Sequence, residues 1–410
     1  CHSDVYHQWN ESAHHFSSFN NQWYRKSIMY MQDVNGIQSS KWCGGCHDPA
    51  IMFNGVMDRP IRENMNTPAA QAGLACTACH SIERVKDTMG NGGYTIKYPP
   101  LHDIATNQNK IVRKLHNYII RLDPEPHRKS FIKPFHRKNT AEFCSTCHKV
   151  HLDQPVNNFR WFRGFNTYDQ WQTSGVSHQG ALSFYYPDQP KKCVDCHMPL
   201  VPSKDAASKQ GKIRSHRFVG ANTALPYVNK HPDQLEAVTN FLQDNKVTID
   251  IFALVNENKI IAPIKQSNAK ALPGEDIRID VVVRTRGVGH HFPAGTIDAF
   301  DIWLELKATD EDGRIIFWNG MIDTKEGKNG PVDPNAHFYK SHLIDERGNH
   351  INKRNAWAAR TILYSRTIPP GAADTVRYRL TIPEDCGKRI TLQAKLNYRK
   401  FNWWLTQWSY

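Results

Sequence analysis

Hydrophobic and polar positions follow two different rhythms along this chain, and the change falls near residue 245. Beyond it, apolar and polar residues alternate with a period of two in VTIDIFALV (247–255), DIRIDVVVRT (276–285), FDIWLELKATD (300–310), GRIIFWNGMI (313–322), TVRYRLTIP (375–383) and RITLQAKLNYRKF (389–401). Alternation puts every second side chain on the same face of a strand, so one face is apolar and the other wetted. Turn-forming groups lie between them: DEDG at 310–313, PPG at 369–371 and PEDCG at 383–387. Short strands at this spacing predict an all-β, immunoglobulin-like sandwich domain over residues 246–410. Just before it, KHPDQLEAVTNFLQD (230–244) carries Leu235, Val238, Phe241 and Leu242 at helical spacing. That stripe predicts a helical connector over 230–245 with its apolar face in a core.

Residues 1–229 hold neither rhythm for long, and their organisation comes from cysteine. Eight of the ten cysteines form four Cys-x-x-Cys pairs, each followed at once by histidine: Cys43/Cys46 (CGGCH), Cys76/Cys79 (CTACH), Cys144/Cys147 (CSTCH) and Cys193/Cys196 (CVDCH). A Cys-x-x-Cys pair alone reads equally as half a zinc site or a redox disulfide. The histidine decides against both, because only thioether attachment of haem c needs an imidazole at that one offset every time. Two thiols add to the haem vinyl groups, and the adjacent histidine becomes the proximal iron ligand. The proximal ligands are thus His47, His80, His148 and His197. The chain opens on Cys1-His2, read as the tail of a fifth motif with His2 proximal, against the alternative of a lipid-bearing cysteine.

Five haems in about 230 residues leave roughly 46 residues each, too few for a conventional core around every one. The porphyrins themselves must then supply the core, wrapped by short helices and long loops. The expected architecture is therefore an α plus irregular multihaem cytochrome c domain over residues 1–229, followed by the connector and the sandwich. Trp42, Phe53, Tyr98, Phe135, Trp161, Phe162 and Trp171 would line the plates.

Histidine is in surplus, with 21 in the chain. The supply suffices to give every iron a second imidazole, and a six-coordinate iron suits electron transfer better than substrate binding. The distal candidates are His14 and His15 in SAHHFSSF, His102 in PPLHDI, His116 in RKLHNYI, His136 in KPFHRKNTAEF and His216 in IRSHRFVGAN, where Arg214 and Arg217 suit propionates. His178 is a weaker candidate, with His7 and His151 behind it, and most of His231, His337, His342 and His350 read as solvated loop residues. In the sandwich, GVGHHFPAG (287–295) holds His290 and His291 between glycines and a proline, and His291 is the candidate to reach an iron. Cys386 stands alone and reads as a buried thiol. The terminal FNWWLTQWSY is expected to close a sandwich edge.

The formal charge of +13 would suit phosphate binding. Haem propionates supply the opposite charge internally, so a nucleic-acid partner is not expected. No run of about 18 apolar residues occurs, so no segment reads as membrane-spanning. No signal peptide is recognisable, and with Cys1 first the sequence reads as a mature or trimmed chain. Thioether attachment takes place outside the cytoplasm, which predicts an exported protein, periplasmic, extracellular or attached to the cell surface.

CHSDVYHQWNESAHHFSSF, RKNTAEFCSTCHKVH, CVDCHMP and SHRFVGANTAL together resemble the multihaem cytochrome c superfamily that includes hydroxylamine oxidoreductase and octahaem tetrathionate reductase. The likeness is to its smaller electron-transfer members and spans about residues 1–225. The GHHFPAG region is similar to β-sandwiches appended to exported multihaem cytochromes. The resemblance implies bis-His haems in stacked pairs, redox partner proteins (other multihaem cytochromes among them) and homo- or hetero-oligomeric assembly. No Cys-x-x-Cys-Lys motif is present, so the lysine-ligated haem of pentahaem nitrite reductase is absent. Two functions stay open: an electron carrier, or a haem enzyme with one open iron acting on a small nitrogen or sulfur species.

Overall fold

The computed structural model describes residues 2–99, 102–181, 185–257, 259–325 and 330–410, with His102 described in its backbone alone. The chain forms two compact units. The first comprises Cys1–Tyr168 with Lys192–Phe218, and the second Asp169–Lys191 with Val219–Tyr410. The helix Pro232–Gln243 occupies the span expected of a connector and belongs to the second unit, where it buries Val238.

In the first unit, all four Cys-x-x-Cys-His motifs end a helix on their histidine: Ile37–His47, Cys76–His80, Thr140–His148 and Cys193–His197. Three of them run almost directly into a two-stranded antiparallel hairpin. Ile82–Val85 pairs with Tyr94–Ile96, Lys149–Leu152 with Phe162–Asn166, and Leu200–Pro202 with Lys212–Arg214. The first motif is prepared by the helix Gln22–Asn35, whose start is capped by the Asn21 side chain accepting from Tyr24 N–H. That helix stops at Gly36, whose φ of 82° ends it and lets the motif helix begin at once.

The apolar core of this unit is small. Phe16, Phe19, Trp23, Ile28, Met31, Ile51, Met57 and Ile61 are buried. Of the aromatics expected to line porphyrins, Phe53, Tyr98 and Trp161 are exposed and Phe162 is buried. Trp171 is buried in the second unit, where its indole N–H donates to Lys191 O at 2.7 Å.

The second unit carries two four-stranded antiparallel sheets. In one the order is Ala373–Thr381, Asp276–Thr285, Val247–Asn256, Lys259–Ile261. In the other, Asp301–Thr309 is central, with Thr391–Arg399 along one side and Ile315–Asn319 and His337–Phe338 along the other. The period of two is obeyed closely. Ile277, Ile279, Val281 and Val283 are buried in one sheet, and Ile302, Leu304, Leu306 and Ala308 in the other. Tyr378 links the sheets, donating its hydroxyl to Leu304 O at 3.3 Å and meeting the Phe317 ring edge-on. Trp303 is buried although it alternates with the inner row, because Val332, Ala336 and Phe338 cover it.

FNWWLTQWSY forms the helix Trp403–Ser409, which the Asn402 side chain caps by accepting from Leu405 N–H at 2.8 Å. One expectation is corrected here. Cys386, expected as a buried thiol, is half-exposed in the turn after Ile382. A separate hairpin, Ser341–Ile344 with Thr361–Ser365, escaped the sequence pattern because Thr361–Ser365 is exposed along most of its length and carries no alternation.

Candidate haem-binding site

The four motif helices converge around the third. Cys46 lies beside Cys147, and Cys144 lies beside Cys193. Cys79 lies within electrostatic reach of Cys147, and burial pushes its thiol up to about 12. At Gly44, the first variable residue of CGGCH, a Cβ would lie 2.4 Å from Met57 Sδ, so a side chain there requires the end of Met57 to shift. None of the nine described cysteines is in a disulfide. Among the described residues no group of three or more His, Cys, Asp or Glu is arranged as a metal cage.

Iron ligation through Nε2 needs the neutral tautomer with its proton on Nδ1, and a backbone carbonyl facing Nδ1 enforces that tautomer because it can only accept. His47 Nδ1 faces Ser17 O at 2.7 Å and His80 Nδ1 faces Phe131 O at 2.9 Å. The same anchor recurs at two distal candidates, His15 on Asn10 O (2.7 Å) and His216 on Arg214 O (2.9 Å). His2 Nδ1 is held by the Asp205 carboxylate at 2.8 Å. His47 is braced further by Tyr24, whose ring stacks on it at 4.5 Å and whose hydroxyl bonds to the buried Asp48. Burial pushes the Asp48 carboxyl up to about 7, against the hydrogen bonds from Ser18 and Tyr24 that favour its charge. No motif in the sequence marked Tyr24, Asp48 or Asp205 as second partners.

The histidines gather in two neighbourhoods. His14 sits in the first, held down to about 3 by burial and then by the nearby His148, His216, His197 and His47. Its ring centroid lies 6.1 Å from that of His148, and its buried Nδ1 has no hydrogen-bond partner. His148 is likewise held near 4 by burial, His197 and His47. The second neighbourhood holds His80, with His216 at 6.5 Å and His136 at 5.0 Å between centroids. Two imidazoles on opposite sides of one metal stand about 6 Å apart, from two metal–nitrogen bonds of about 2 Å and the ring widths. His136 is nearer than that, and its Nδ1 accepts from Lys133 N–H at 3.0 Å, which puts the proton on Nε2. His2 faces His127 at 6.2 Å with the rings only 12° from parallel. His127 was not foreseen: EPHRKSF reads as a charged surface helix, and nothing local marks it as facing inward.

His116 is buried in the helix Lys110–Leu122, its Nδ1 3.3 Å from Asn117 Oδ1. His102 opens the short helix His102–Ala105, and its side chain and Cys1 lie outside the described residues. His178 and His291 belong to the second unit. His178 donates from Nε2 to Pro187 O at 2.6 Å, which occupies the nitrogen a metal would take. His291 Nδ1 pairs with Thr367 Oγ1 at 3.0 Å.

Residues 1–81 and 143–220 match the family model of cytochrome c554 and c-prime. The two matched blocks contain all four motifs and Cys1-His2. Over the whole chain the fold is similar to a solved penta-heme cytochrome c552 from Thermochromatium tepidum. The identity is 18%, with 99% of this chain and 91% of that chain covered and a TM-score of 0.58. The family model supports a multihaem c-type cytochrome, and the solved structure shows a similar fold. No curated protein matches the chain. The donor set fits haem c: paired thiols in each motif helix, and imidazoles at His47 and His80 whose Nδ1 atoms face backbone carbonyls. Within a multihaem cytochrome, the convergence of the four motif helices on Cys147 brings the attachment points together. The segment between the matched blocks, 82–142, contributes His116, His127 and His136. No helix among the described residues is long and apolar enough to cross a membrane.

Proposed function

We propose that this cytochrome carries electrons along a chain of five closely spaced haems between redox partners outside the cytoplasm. Haem c supplies one-electron Fe(III)/Fe(II) chemistry, with potentials set by ligation, burial and nearby charge. The protein's share is to hold each imidazole in its ligating tautomer and to exclude water. The attachment residues are Cys1, Cys43, Cys46, Cys76, Cys79, Cys144, Cys147, Cys193 and Cys196, with His2, His47, His80, His148 and His197 proximal. The distal assignments follow ring spacing: His127 for His2, His14 for His148 and His216 for His80. His15, His102 and His116 remain the supply for His47 and His197, and His136 packs beside His80. The single observation that carries the reading is the gathering of His14, His148, His197, His47 and His216 in one buried neighbourhood.

We assign the first unit to the superfamily of hydroxylamine oxidoreductase and octahaem tetrathionate reductase, and the β-rich unit to an immunoglobulin-like sandwich that docks partners. Carbon monoxide titration of the reduced protein tests the carrier reading against an enzyme with an open iron. The carrier reading expects no band shift and a wholly low-spin ferric spectrum. Stoichiometric carbon monoxide binding to one haem would favour the enzyme.

A further inference from the structure

The helix Lys110–Leu122 (KIVRKLHNYIIRL) is amphipathic, but most of its apolar side faces water. Asn109 caps it, accepting from Ile111 N–H at 2.9 Å, so it is a well-begun helix rather than a frayed loop. At 100° per residue, Ile111, Leu115, Tyr118, Ile119 and Leu122 fall within an arc of about 100°. These five side chains are between 51 and 75% exposed, which is unusual for a contiguous row of large apolar groups. The helix meets its own unit through the adjoining arc, where His116 is buried and Val112 and Ile120 are half-buried. His116 also lies within electrostatic reach of His127, beside His2 and His80. The haem-facing side of the helix is therefore the His116 side, and the exposed row looks elsewhere.

Charge identifies what the row meets. Lys110, Lys114 and Arg121 flank the apolar arc on one side, and the helix has no acidic residue. Residues 106–138 hold nine Lys and Arg against Asp123 and Glu125 alone, a net +7 that is more than half of the whole chain's excess. Two copies packed row to row would bring these like charges together, which disfavours a self-association surface. A cationic flank beside an apolar row suits an anionic bilayer surface, where the row sinks to the acyl boundary and the lysines and arginines meet lipid phosphates.

We propose that Lys110–Leu122 lies flat on anionic membrane surfaces and attaches this cytochrome peripherally. The haem-loaded full chain is co-sedimented with vesicles of phosphatidylcholine alone and of phosphatidylcholine with phosphatidylglycerol. Binding is expected only with phosphatidylglycerol, falling steeply as salt rises. Leu115→Glu/Ile119→Glu is expected to abolish it, with haem spectrum and melting unchanged because both side chains are exposed. Lys114→Gln/Arg121→Gln keeps the apolar row and should weaken binding roughly 25-fold, about fivefold per charge. The proposal is overturned if phosphatidylglycerol vesicles do not bind, or if they bind the double glutamate variant as well as the parent. It is equally overturned if the parent is a dimer that this variant splits, which would make the row a contact between copies.

Discussion

Substituting Gly73 by alanine tests whether the His14–His15 turn holds iron ligands. Gly73 has φ of +56°, and a Cβ built there would lie 1.9 Å from His15 O and 2.7 Å from His14 O. The next residue, Leu74, donates its N–H to His14 O at 2.9 Å, so the two segments are locked backbone to backbone. Alanine would pay about 1–2 kcal/mol for the left-handed conformation. Loss or weakening of the Leu74 bond adds about 1 kcal/mol. Separating Cβ from oxygen to van der Waals distance needs a displacement of more than about 1 Å, whereas metal–ligand distances hold within about 0.2 Å. Gly73→Ala is therefore expected to lower the melting temperature by roughly 5 °C or more and to convert one haem from low to high spin. Ferric electron paramagnetic resonance, integrated against total haem, reads the second effect, and His14→Ala should give the same signal. Lost stability with an unchanged low-spin signal would refute ligation from this turn and leave it a structural contact only.

His216→Ala is expected to open one iron to carbon monoxide, whereas His136→Ala is not, since His136 already carries its proton on Nε2; the reverse result would exchange their roles. Ile279→Ala, in the fully buried row of the β-rich unit, should cost about 2–5 kcal/mol in that unit's denaturant transition with the haem absorption unchanged; a transition that does not move would place Ile279 outside the core. His350 is held near 4 by burial, His342 and Lys340, and its ring stacks on His342 at 3.7 Å. A histidine depressed below its unfolded value stabilises the neutral-pH fold and withdraws that stability as pH falls from about 6.5 toward 4. His350→Gln should flatten this part of the pH profile of thermal unfolding, and an unchanged slope would contradict the stacking argument.

The β-rich unit was legible because its strands are long and one face of each is buried. The alternation in DIRIDVVVRT maps directly onto the buried Ile277, Ile279, Val281 and Val283. Short or covered elements were not legible: Lys259–Ile261 spans three residues, and FNWWLTQWSY reads as apolar until Asn402 is seen capping a helix. In the first unit, covalent chemistry wrote itself into a fixed spacing, so Cys43 to His197 stood out without any fold. Distal ligands have no such spacing. His127 faces His2 across 125 residues of sequence, and only tertiary structure pairs them. The tautomer anchors escaped for the same reason, being backbone carbonyls such as Ser17 O and Phe131 O, which no side-chain pattern encodes.

Coulometric titration of the intact protein, counting electrons taken up per chain while the haem spectrum is followed, tests the central claim most directly. The account predicts five reversible one-electron steps, four from the Cys-x-x-Cys-His motifs and one at His2, each tracked by reduced low-spin haem. Uptake of fewer than five electrons, or a two-electron thiol–disulfide step without haem absorption, would contradict it.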